Sequence, residues 1–252
     1  MKCKILILVR TASTRLPKKA LLKINNTTMI MKLINRVKTV KNSEILVCTT
    51  NLKSDEKLVK ILKEQKISVF RGSNNNILKR ILDASIKHKI NECVIIEADD
   101  LFCDPEIIEK TCDYIKKKNN EVIFWKDLPF GASPMGLKFQ KLKKCIEENE
   151  INNSDTGWKE ILINSNFFNI KYVFEKRKKI LRPDIRLTID YVEDYELAKI
   201  IFSKLGEKFT LHDIIKMLDK NQELTKNNKK LQKKYQKNYE DKRQITANRS
   251  KS

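Results

Sequence analysis

The chain has 252 residues, with 53 Lys or Arg against 32 Asp or Glu, so its formal net charge is +21. Hydrophobic residues make up 40% of the sequence, which is enough for a folded core and excludes a wholly disordered chain. No run of about 18 apolar residues occurs, so we expect no membrane-spanning helix. The apolar stretch 5–9 is too short for a signal-peptide core, and we therefore predict a cytoplasmic protein.

The predicted elements alternate between strand and helix over the first half of the chain. Continuous apolar runs predict strands, and apolar residues at helical spacing predict helices. Strands are predicted at 3–9, 44–48, 68–70, 92–97 and 122–125, and helices at 29–40, 54–65, 77–85 and 105–118. This alternation predicts a three-layer α/β/α, Rossmann-like fold with a mainly parallel central sheet.

The second half is less regular. Two of the five glycines and two of the five prolines fall within 129–136, which we predict to be a loop of specific shape. Helices are predicted at 139–148, 158–163, 193–205 and 211–218, and extended segments at 170–174 and 186–189. We divide residues 1–220, predicted to form one domain, into two halves, 1–125 and 126–220. Residues 221–252 are predicted to be a polar tail that the domain does not need.

Six cysteines occur in the chain, and none forms a CxxC pair: Cys3, Cys48, Cys93, Cys103, Cys112 and Cys145. Three of them lie in or beside apolar runs, so we expect all six to be reduced and to act as small core hydrophobes. With only two histidines, His88 and His212, we expect no structural zinc site.

The loop that follows the first predicted strand, residues 10–19, contains four cations and three hydroxyl side chains. Ligands of parallel α/β sheets bind at the carboxyl ends of the strands, where this loop begins. Arg side chains bind phosphate oxygens in a fork, and Lys binds them as a point charge. The loop therefore indicates a phosphate site, although its sequence has neither the Walker nor the dinucleotide-binding glycine pattern.

Acidic residues follow two other predicted extended segments. Asp99 and Asp100 come directly after the apolar strand 92–97, and Asp190 follows 186–189. Mg²⁺ typically uses one or two protein carboxylates and completes its coordination with waters and substrate phosphates. Carboxylates at strand ends, opposite a basic loop, could hold such an ion. The alternative is that these residues only cap turns or helices.

Five segments in order resemble a known family. They are RTASTRLPKK (10–19), CTTN (48–51), FRGS with ILKR (70–80), IEADDLFCDP (96–105) and RLTIDYVED (186–194). Together they resemble the cytidylyltransferases of the CMP-sugar-acid synthetase type, in particular the spore-coat polysaccharide protein F-like members. The resemblance covers about residues 1–200 and implies a nucleotide-diphospho-sugar transferase-like fold. It also implies that residues 1–125 form a nucleotide-binding half and residues 126–220 an acceptor-binding half of the nucleotidyltransferase domain.

The resemblance implies a nucleotidyl transfer from an NTP, most consistent with CTP, to a sugar acid or sugar phosphate for cell-surface polysaccharide synthesis. It implies catalytic roles for Arg10, Arg15, Lys19 and Asp99, and Mg²⁺ as cofactor on Asp99 and Asp190. We predict that Ala at Arg15 or Lys19 weakens NTP binding but leaves the fold intact, as expected of exposed loop cations. The implied nucleotide-binding residues also include Val9, Ala12, Ser13, Thr50, Arg71, Gly72, Ser73 and Arg80.

The chain departs from the family pattern at several positions. The family usually has Gly where this chain has Ala12, Lys18 and Ala98. It usually has Pro at the position of Leu101 and Asp at that of Asn76. Lys18 is the largest of these changes if its position requires a positive φ.

Two other functions stay open from the residues. One is a glycosyltransferase with the same nucleotide-binding fold, which would normally carry an Asp-x-Asp motif, whereas this chain has Asp99-Asp100. The other is a basic protein that binds RNA or an anionic surface through its tail, where Tyr235 and Tyr239 alternate with lysines. The charge is diffuse and points to small anionic substrates more than to nucleic acid. The sequence leaves open the acceptor, the base and the oligomeric state, a homodimer being one option.

Overall fold

The fold is a seven-stranded sheet between two layers of helices, seen in a computed structural model that describes residues 2–226, 230–237 and 240. The strands are β1 (Cys3–Leu8), β2 (Lys23–Ile24), β3 (Thr27–Thr28), β4 (Ser43–Thr50), β5 (Ser68–Gly72), β6 (Glu92–Glu97), β7 (Val122–Lys126), β8 (Met135–Lys138) and β9 (Ile170–Phe174). The helices are α1 (Met29–Val37), α2 (Glu56–Glu64), α3 (Ile77–Lys87), α4 (Pro105–Ile115), α5 (Leu142–Glu148), α6 (Trp158–Asn164), α7 (Val192–Leu205) and α8 (Leu211–Lys220).

The central sheet has the strand order β5-β4-β1-β6-β8-β7-β9. The strands β5, β4, β1 and β6 are parallel to one another, and β8 runs antiparallel to both β6 and β7. The predicted three-layer, mainly parallel α/β fold is therefore confirmed. The sequence pattern did not predict β8, which lies partly in the stretch 129–136 expected to be a loop.

The apolar run of β1 exists because both faces of this central strand are covered. Ile5 and Ile7 face one core, built with α1, α2, α4, α7 and α8, whereas Leu6 and Leu8 face the other, built with α3, α5 and α6. All four side chains are at most 6% exposed. Continuous burial of this kind removes the polar alternation that a half-exposed strand would show.

Local signals place the helix starts as expected. Asp104 caps α4 by accepting a hydrogen bond from the backbone N–H of Glu106, and Pro105 occupies the first helical position. Thr210 and Asp213 form a reciprocal capping box at the start of α8, as their spacing predicted. In contrast, the segment 186–189 makes only one β-bridge, between Arg186 and Phe130, and is not part of the sheet.

Two cysteines are bonded to each other, contrary to our expectation of six reduced thiols. Cys3 at the start of β1 and Cys112 in α4 form a disulfide, with their Cα atoms 5.9 Å apart. Cys48, Cys93, Cys103 and Cys145 are free and buried, as expected. Cys3 and Cys112 are 109 residues apart in the sequence, and no motif indicates that they pair. They meet only because the fold brings α4 against β1.

Within residues 2–226, 230–237 and 240, no helix has both the length and the apolar character needed to cross a membrane.

The disulfide predicts the number of reactive thiols. In denaturant without reductant, the chain should expose four thiols, those of the free cysteines, and after reduction it should expose six. Cys112→Ser should expose five, because Cys3 is then released. Closing a loop of this length should also stabilise the oxidised form by about 2–4 kcal/mol. A thiol-reagent titration measures the counts, and six thiols in the unreduced wild type would contradict the bond.

Candidate active site

A cleft of about 910 Å³ lies at the carboxyl ends of the parallel strands. Its walls come from the loop after β1, the loop after β6, and three later stretches of chain near 125–133, 155–160 and 183–190. Another wall comes from residues 230–237 and 240, which we call the C-terminal segment. Its residues that line the cleft are Gln232, Tyr235, Gln236 and Glu240. The position agrees with the general location of ligand sites in open α/β sheets.

Strand register brings the loops of the cleft together. In the sheet, Leu8 is paired with Cys48 of β4 on one side and with Glu97 of β6 on the other. The backbone N–H of Ala98 donates to the carbonyl of Leu8 at 2.9 Å, which continues the pairing past the strand ends. The loops that begin at residues 10 and 98 therefore start side by side.

The segment around Asp190 reaches the same edge without being a strand. The backbone N–H of Ile189 donates to the carbonyl of Asp99 at 3.0 Å. Gly131 lies against this segment with φ +89°, and a Cβ there would lie 2.2 Å from the backbone nitrogen of Thr188. Only glycine allows so close an approach. The loop 129–136 thus holds Asp190 beside Asp99.

Asp55 anchors the start of the basic loop, a role that the sequence did not reveal. Its fully buried carboxylate accepts hydrogen bonds from the backbone N–H and the hydroxyl of Thr11, at 2.8 and 2.6 Å. It also accepts bonds from the hydroxyls of Thr49 and Thr50 at the end of β4. Burial would raise its pKa, but these hydrogen bonds outweigh burial and lower the pKa of Asp55. The sequence suggested only a helix-start residue here.

Lys19 joins the two predicted metal-binding carboxylates. Its Nζ lies 2.6 Å from Oδ2 of Asp99 and 2.9 Å from Oδ1 of Asp190. The Lys19 side chain is 14% exposed, so it is not the exposed loop cation that the sequence suggested. Burial would lower its pKa, but Asp99 and Asp190 outweigh burial and raise it. Because two carboxylates would lose their counter-charge, we now expect Ala at this position to lower the stability of the fold.

Three cationic side chains surround the carboxylate of Asp190. Besides Lys19, Nη2 of Arg15 lies 2.6 Å from its Oδ1, and Nη2 of Arg186 lies 3.3 Å from its Oδ2. Its side chain is only 3% exposed. Burial would raise the pKa of Asp190, but Lys19 and Arg15 lower it to about 2. Asp190 is thus ionised throughout the neutral range.

Asp194 holds Arg186 and the backbone at Asp190 in place. Both of its carboxylate oxygens accept hydrogen bonds from Arg186, from Nε and Nη2, each at 3.0 Å. Oδ2 of Asp194 also accepts from the backbone N–H groups of Asp190 and Tyr191. The bidentate pair with Arg186 was not predicted from the sequence.

A second set of ion pairs links the loop after β1 and the end of β6 to residues 155–159. Nη1 of Arg10 lies 2.6 Å from Oδ1 of Asp155, across the cleft. Nζ of Lys159 lies 2.5 Å from Oε2 of Glu97, whose other oxygen accepts the indole N–H of Trp158 at 3.0 Å. Burial would raise the pKa of Glu97, but Lys159 lowers it. The cleft therefore contains cations and acids in matched pairs.

The predicted nucleotide-binding residues divide into two groups. Arg10, Arg15 and Lys19 line the cleft together with Val9, Ala12, Ser13 and Arg80. Thr50, Arg71, Gly72 and Ser73 are not among the residues that line it. Arg71 instead donates to the carbonyl of Thr50 and pairs with Glu56, so its guanidinium braces α2.

Arg80 acts mainly through the backbone of the neighbouring loop. Its Nε donates to the carbonyl of Ser73 at 2.8 Å, and its Nη2 donates to the carbonyl of Asn74 at 3.1 Å. Gly72 lies beside it, where a Cβ would lie 3.0 Å from Cγ of Arg80 and 2.7 Å from the ring of Phe70. This part of the family-like segment therefore shapes one wall of the cleft.

Residues beyond 220 belong to the cleft wall, which disagrees with the predicted domain boundary. Helical turns occur at 223–226 and 230–237. Leu231 is 8% exposed, and Gln232 accepts a hydrogen bond from Nη1 of Arg186 at 2.9 Å. Little in the sequence indicated this contact, because Leu231 is the only buried aliphatic residue among the described residues beyond 220, and lysines and asparagines surround it. Tyr239 and residues 241–252 lie outside the described residues.

The donor set of the cleft fits a divalent cation. Asp99 and Asp190 direct carboxylate oxygens at one point, now taken by Nζ of Lys19, and Asp99 is 26% exposed towards the cleft. Among the residues that the structure describes, no group of three or more His, Cys, Asp and Glu side chains could hold a metal ion. Two carboxylates are nevertheless the protein contribution that Mg²⁺ typically needs when a substrate phosphate supplies the rest.

Lys18, at a position where the family usually has Gly, does adopt a strained backbone conformation. Lys18 has φ 55° and ψ 29°, in the left-handed region. It is an exposed residue in the turn before Lys19, so its side chain meets no obstacle. A non-glycine residue in this region costs roughly 1 kcal/mol, which the chain tolerates here.

Removing the Asp55 carboxylate should destabilise the protein. Asp55→Ala leaves the hydroxyls and N–H groups of Thr11, Thr49 and Thr50 without their buried acceptor, and unfolding free energy should fall by about 2–4 kcal/mol. Denaturant unfolding measures the change. The matched control is Asp83→Ala on the exposed face of α3, which should cost much less. Equal losses at the two positions would contradict the anchoring role.

The ion pairs of Lys19 predict a pH-dependent stability defect. Lys19→Met should lower the unfolding free energy by about 2 kcal/mol at pH 7, because Asp99 and Asp190 lose a buried partner. Burial already raises the pKa of Asp99 above 3.8, and loss of Lys19 raises it further. Asp99 then binds a proton more tightly in the folded than in the unfolded state, so acidification towards pH 4 favours folding of the variant.

The difference between Lys19→Met and the wild type should therefore shrink as the pH falls from 7 towards 4. Urea unfolding at several pH values measures it. Lys18→Met provides the control, because this neighbour is exposed on the same loop. A defect that grows on acidification would contradict the pairing.

Comparison with known proteins agrees with this architecture. The family model described as cytidylyltransferase matches residues 4–239. An uncharacterized protein of Methanocaldococcus jannaschii is 31% identical over 226 residues, which are 87% of this chain and 91% of that protein. The spore coat polysaccharide biosynthesis protein SpsF of Bacillus subtilis is 24% identical over 228 residues, covering 86% and 93%.

A solved structure is similar over nearly the same length. A cytidylyltransferase from Leptospira borgpetersenii superposes with a TM-score of 0.78 at 29% identity, covering 89% of this chain and 96% of that one. The family match also includes the segment 230–237, which the structure places on the cleft. The chain belongs to the cytidylyltransferase family of nucleotidyltransferases.

Proposed function

We propose that the protein transfers CMP from CTP to a sugar acid or a sugar phosphate and releases pyrophosphate. The observation that carries this proposal is one cleft in which Arg10, Arg15 and Lys19 lie opposite Asp99 and Asp190. Such a cleft combines cations for a triphosphate with carboxylates for a divalent ion. The family supports nucleotidyl transfer, and the likeness to SpsF supports a role in cell-surface polysaccharide synthesis.

In the proposed reaction, an oxygen of the acceptor forms a bond to the α-phosphorus, and the bond from that phosphorus to the bridging oxygen of the β-phosphate breaks. Catalysis of such transfers consists mainly of positioning and charge neutralisation. A sugar-phosphate acceptor is already ionised, whereas the hydroxyl of a sugar acid must lose its proton to solvent or to a base. Bound Mg²⁺, held by Asp99 and Asp190, would neutralise phosphate charge.

The basic residues of the cleft would exchange partners when the nucleotide binds. Arg15 and Lys19 are now neutralised by Asp190 and Asp99, and Arg10 by Asp155. Triphosphate oxygens can replace these carboxylates, and Arg binds phosphate in a fork as it binds a carboxylate. The carboxylates hold the three cations in the cleft before the substrate arrives, which lowers the cost of ordering them on binding.

The position of Tyr235 does not favour the tail as an RNA-binding surface. Its ring lines the cleft and packs against Phe130, with ring centroids 5.3 Å apart. A base could not stack on that face of the ring without displacing the segment. The described residues therefore offer no separate platform of exposed aromatic rings here.

The direct test is pyrophosphate release with each of the four NTPs, Mg²⁺, and a panel of sugar acids and sugar phosphates. Release with CTP and one acceptor class supports the proposal. If no combination releases pyrophosphate above the rate without enzyme, the proposed function is wrong. Release with UTP or GTP alone would retain nucleotidyl transfer and reject the cytosine preference.

Asp99→Asn should lower turnover at least about a hundredfold, which corresponds to roughly 2.7 kcal/mol of barrier. The substitution keeps the side-chain volume and removes the charge that faces Lys19 and the ion. Asp113→Asn, on the exposed surface of α4, is the matched control and should keep normal turnover. The thermal midpoint is measured alongside. Near-normal turnover of a folded Asp99→Asn protein with Mg²⁺ would contradict the metal-binding role.

A further inference from the structure

The C-terminal segment presents one polar helical face to the cleft. Gln232, Tyr235, Gln236 and Glu240 all line the cleft, and they follow one another at intervals of three, one and four residues. In the described helical stretch 230–237, the first three of these occupy positions i, i+3 and i+4, which lie on the same side of a helix. Leu231 is the buried neighbour that holds this segment on the domain. The face that meets the cleft is therefore set by the segment's helical repeat.

Tyr235 stands at the centre of that face and contacts two arginines. The guanidinium carbon of Arg15 lies 5.4 Å from the centroid of its ring, and that of Arg186 lies 5.0 Å from it. Both distances are within the range of cation–π interactions. The same ring meets Phe130 edge to face. Tyr235 thus touches both arginines that bind Asp190.

Gln232 fixes the C-terminal segment to Arg186. Arg186 is 4% exposed and donates to Asp194, Asp190 and, through Nη1, to Gln232. Arg186 is therefore immobilised on three sides. In contrast, Arg15 is 29% exposed, and its Nη2 is bound only to Asp190 among the side chains of the described residues. The ring of Tyr235 is one of the few groups that limits where this guanidinium can lie.

We propose that Tyr235 is a positioning residue that holds Arg15 in the cleft for the triphosphate, and that the C-terminal segment is part of the nucleotide-binding machinery. The proposal rests on the proposed function for the identity of the ligand. In this proposal Tyr235 acts on Arg15 through the face of its ring. If Asp190 turns to a metal ion and releases Arg15, the ring still restricts that guanidinium.

The test compares Tyr235→Leu with Tyr235→Phe in the full chain, with Lys233→Ala as the matched control on the same segment. Lys233 is exposed and does not line the cleft. Titration calorimetry with CTP and Mg²⁺ measures affinity, and pyrophosphate release gives KM for CTP, KM for the acceptor and kcat. Circular dichroism and the thermal midpoint report the fold of each variant.

We expect Tyr235→Leu to weaken CTP binding about tenfold, since two cation–π contacts are lost. Its KM for CTP should rise by more than its KM for the acceptor. Tyr235→Phe should recover most of the affinity, because the ring face is retained. Lys233→Ala should bind CTP as the wild type does. This split between substrates, with recovery by Phe, would not follow from a general loss of folding.

Two results would overturn the proposal. One is unchanged CTP affinity of Tyr235→Leu, and the other is an equal loss of affinity in Tyr235→Leu and Tyr235→Phe. Failure of the proposed function has a different outcome: the wild type binds CTP but releases no pyrophosphate with any acceptor. In that case the affinities of the three variants still decide the role of Tyr235. A wild type that does not bind CTP would overturn both.

Discussion

The charge of Asp190 organises the cleft. One carboxylate, 3% exposed, is shared by Lys19, Arg15 and Arg186, which come from two distant parts of the chain. A buried carboxylate with such partners is stable only while they stay in place, because an uncompensated charge in this environment is costly. The position of Asp190 depends in turn on Asp194, which accepts its backbone N–H, and on the backbone contact between Ile189 and Asp99. The basic loop 10–19 and the later segment 186–194 are therefore connected through one side chain.

The basic loop is held at both of its ends by acids, and the two acids differ in environment. Asp55 is fully buried and satisfied by hydroxyl and N–H groups, with no cation among its hydrogen-bond partners. Asp99 is partly open to the cleft and faces a cation. The first therefore serves the loop as a fixed anchor, while the second can change partner without leaving a buried charge unpaired. A loop that is rigid at its start and adjustable at Lys19 is suited to closing on a charged ligand.

The fold and the two acids that face Lys19 could be predicted from sequence, whereas the supporting contacts could not. The run from Ile5 to Val9 and the helical spacing in α1 report burial directly, and strand-end position brought Asp99 to attention. Asp55 and Arg186 gave no comparable signal, because an acid at a helix start and a base in a loop are common on any surface. Their roles depend on contacts with residues brought near by the fold.

The same reason explains the errors over β8 and the C-terminal segment. Gly136 and the prolines before it indicate a turn, yet the position between β6 and β7 supplies hydrogen-bond partners that make residues 135–138 a strand. The lysines around Tyr235 indicate a solvated tail, yet Leu231, Gln232 and the ring of Tyr235 hold the segment on the domain. The amino-acid composition of such a segment is dominated by its exposed residues. It therefore does not reveal the few residues that face the domain.

The bond between Cys3 and Cys112 also gives the chain a closed covalent ring. The basic loop, Asp55 and Asp99 all lie inside that ring, whereas Asp190 and the C-terminal segment lie outside it. A single backbone cut anywhere between the two cysteines would therefore leave the two fragments joined, with the loops after β1 and β6 still bonded to each other. A cut between Cys112 and Asp190 would instead leave no covalent link between Asp190 and those loops. After a cut, the disulfide thus keeps the fragments on one side of the cleft bonded together, whereas the other side is held by packing alone.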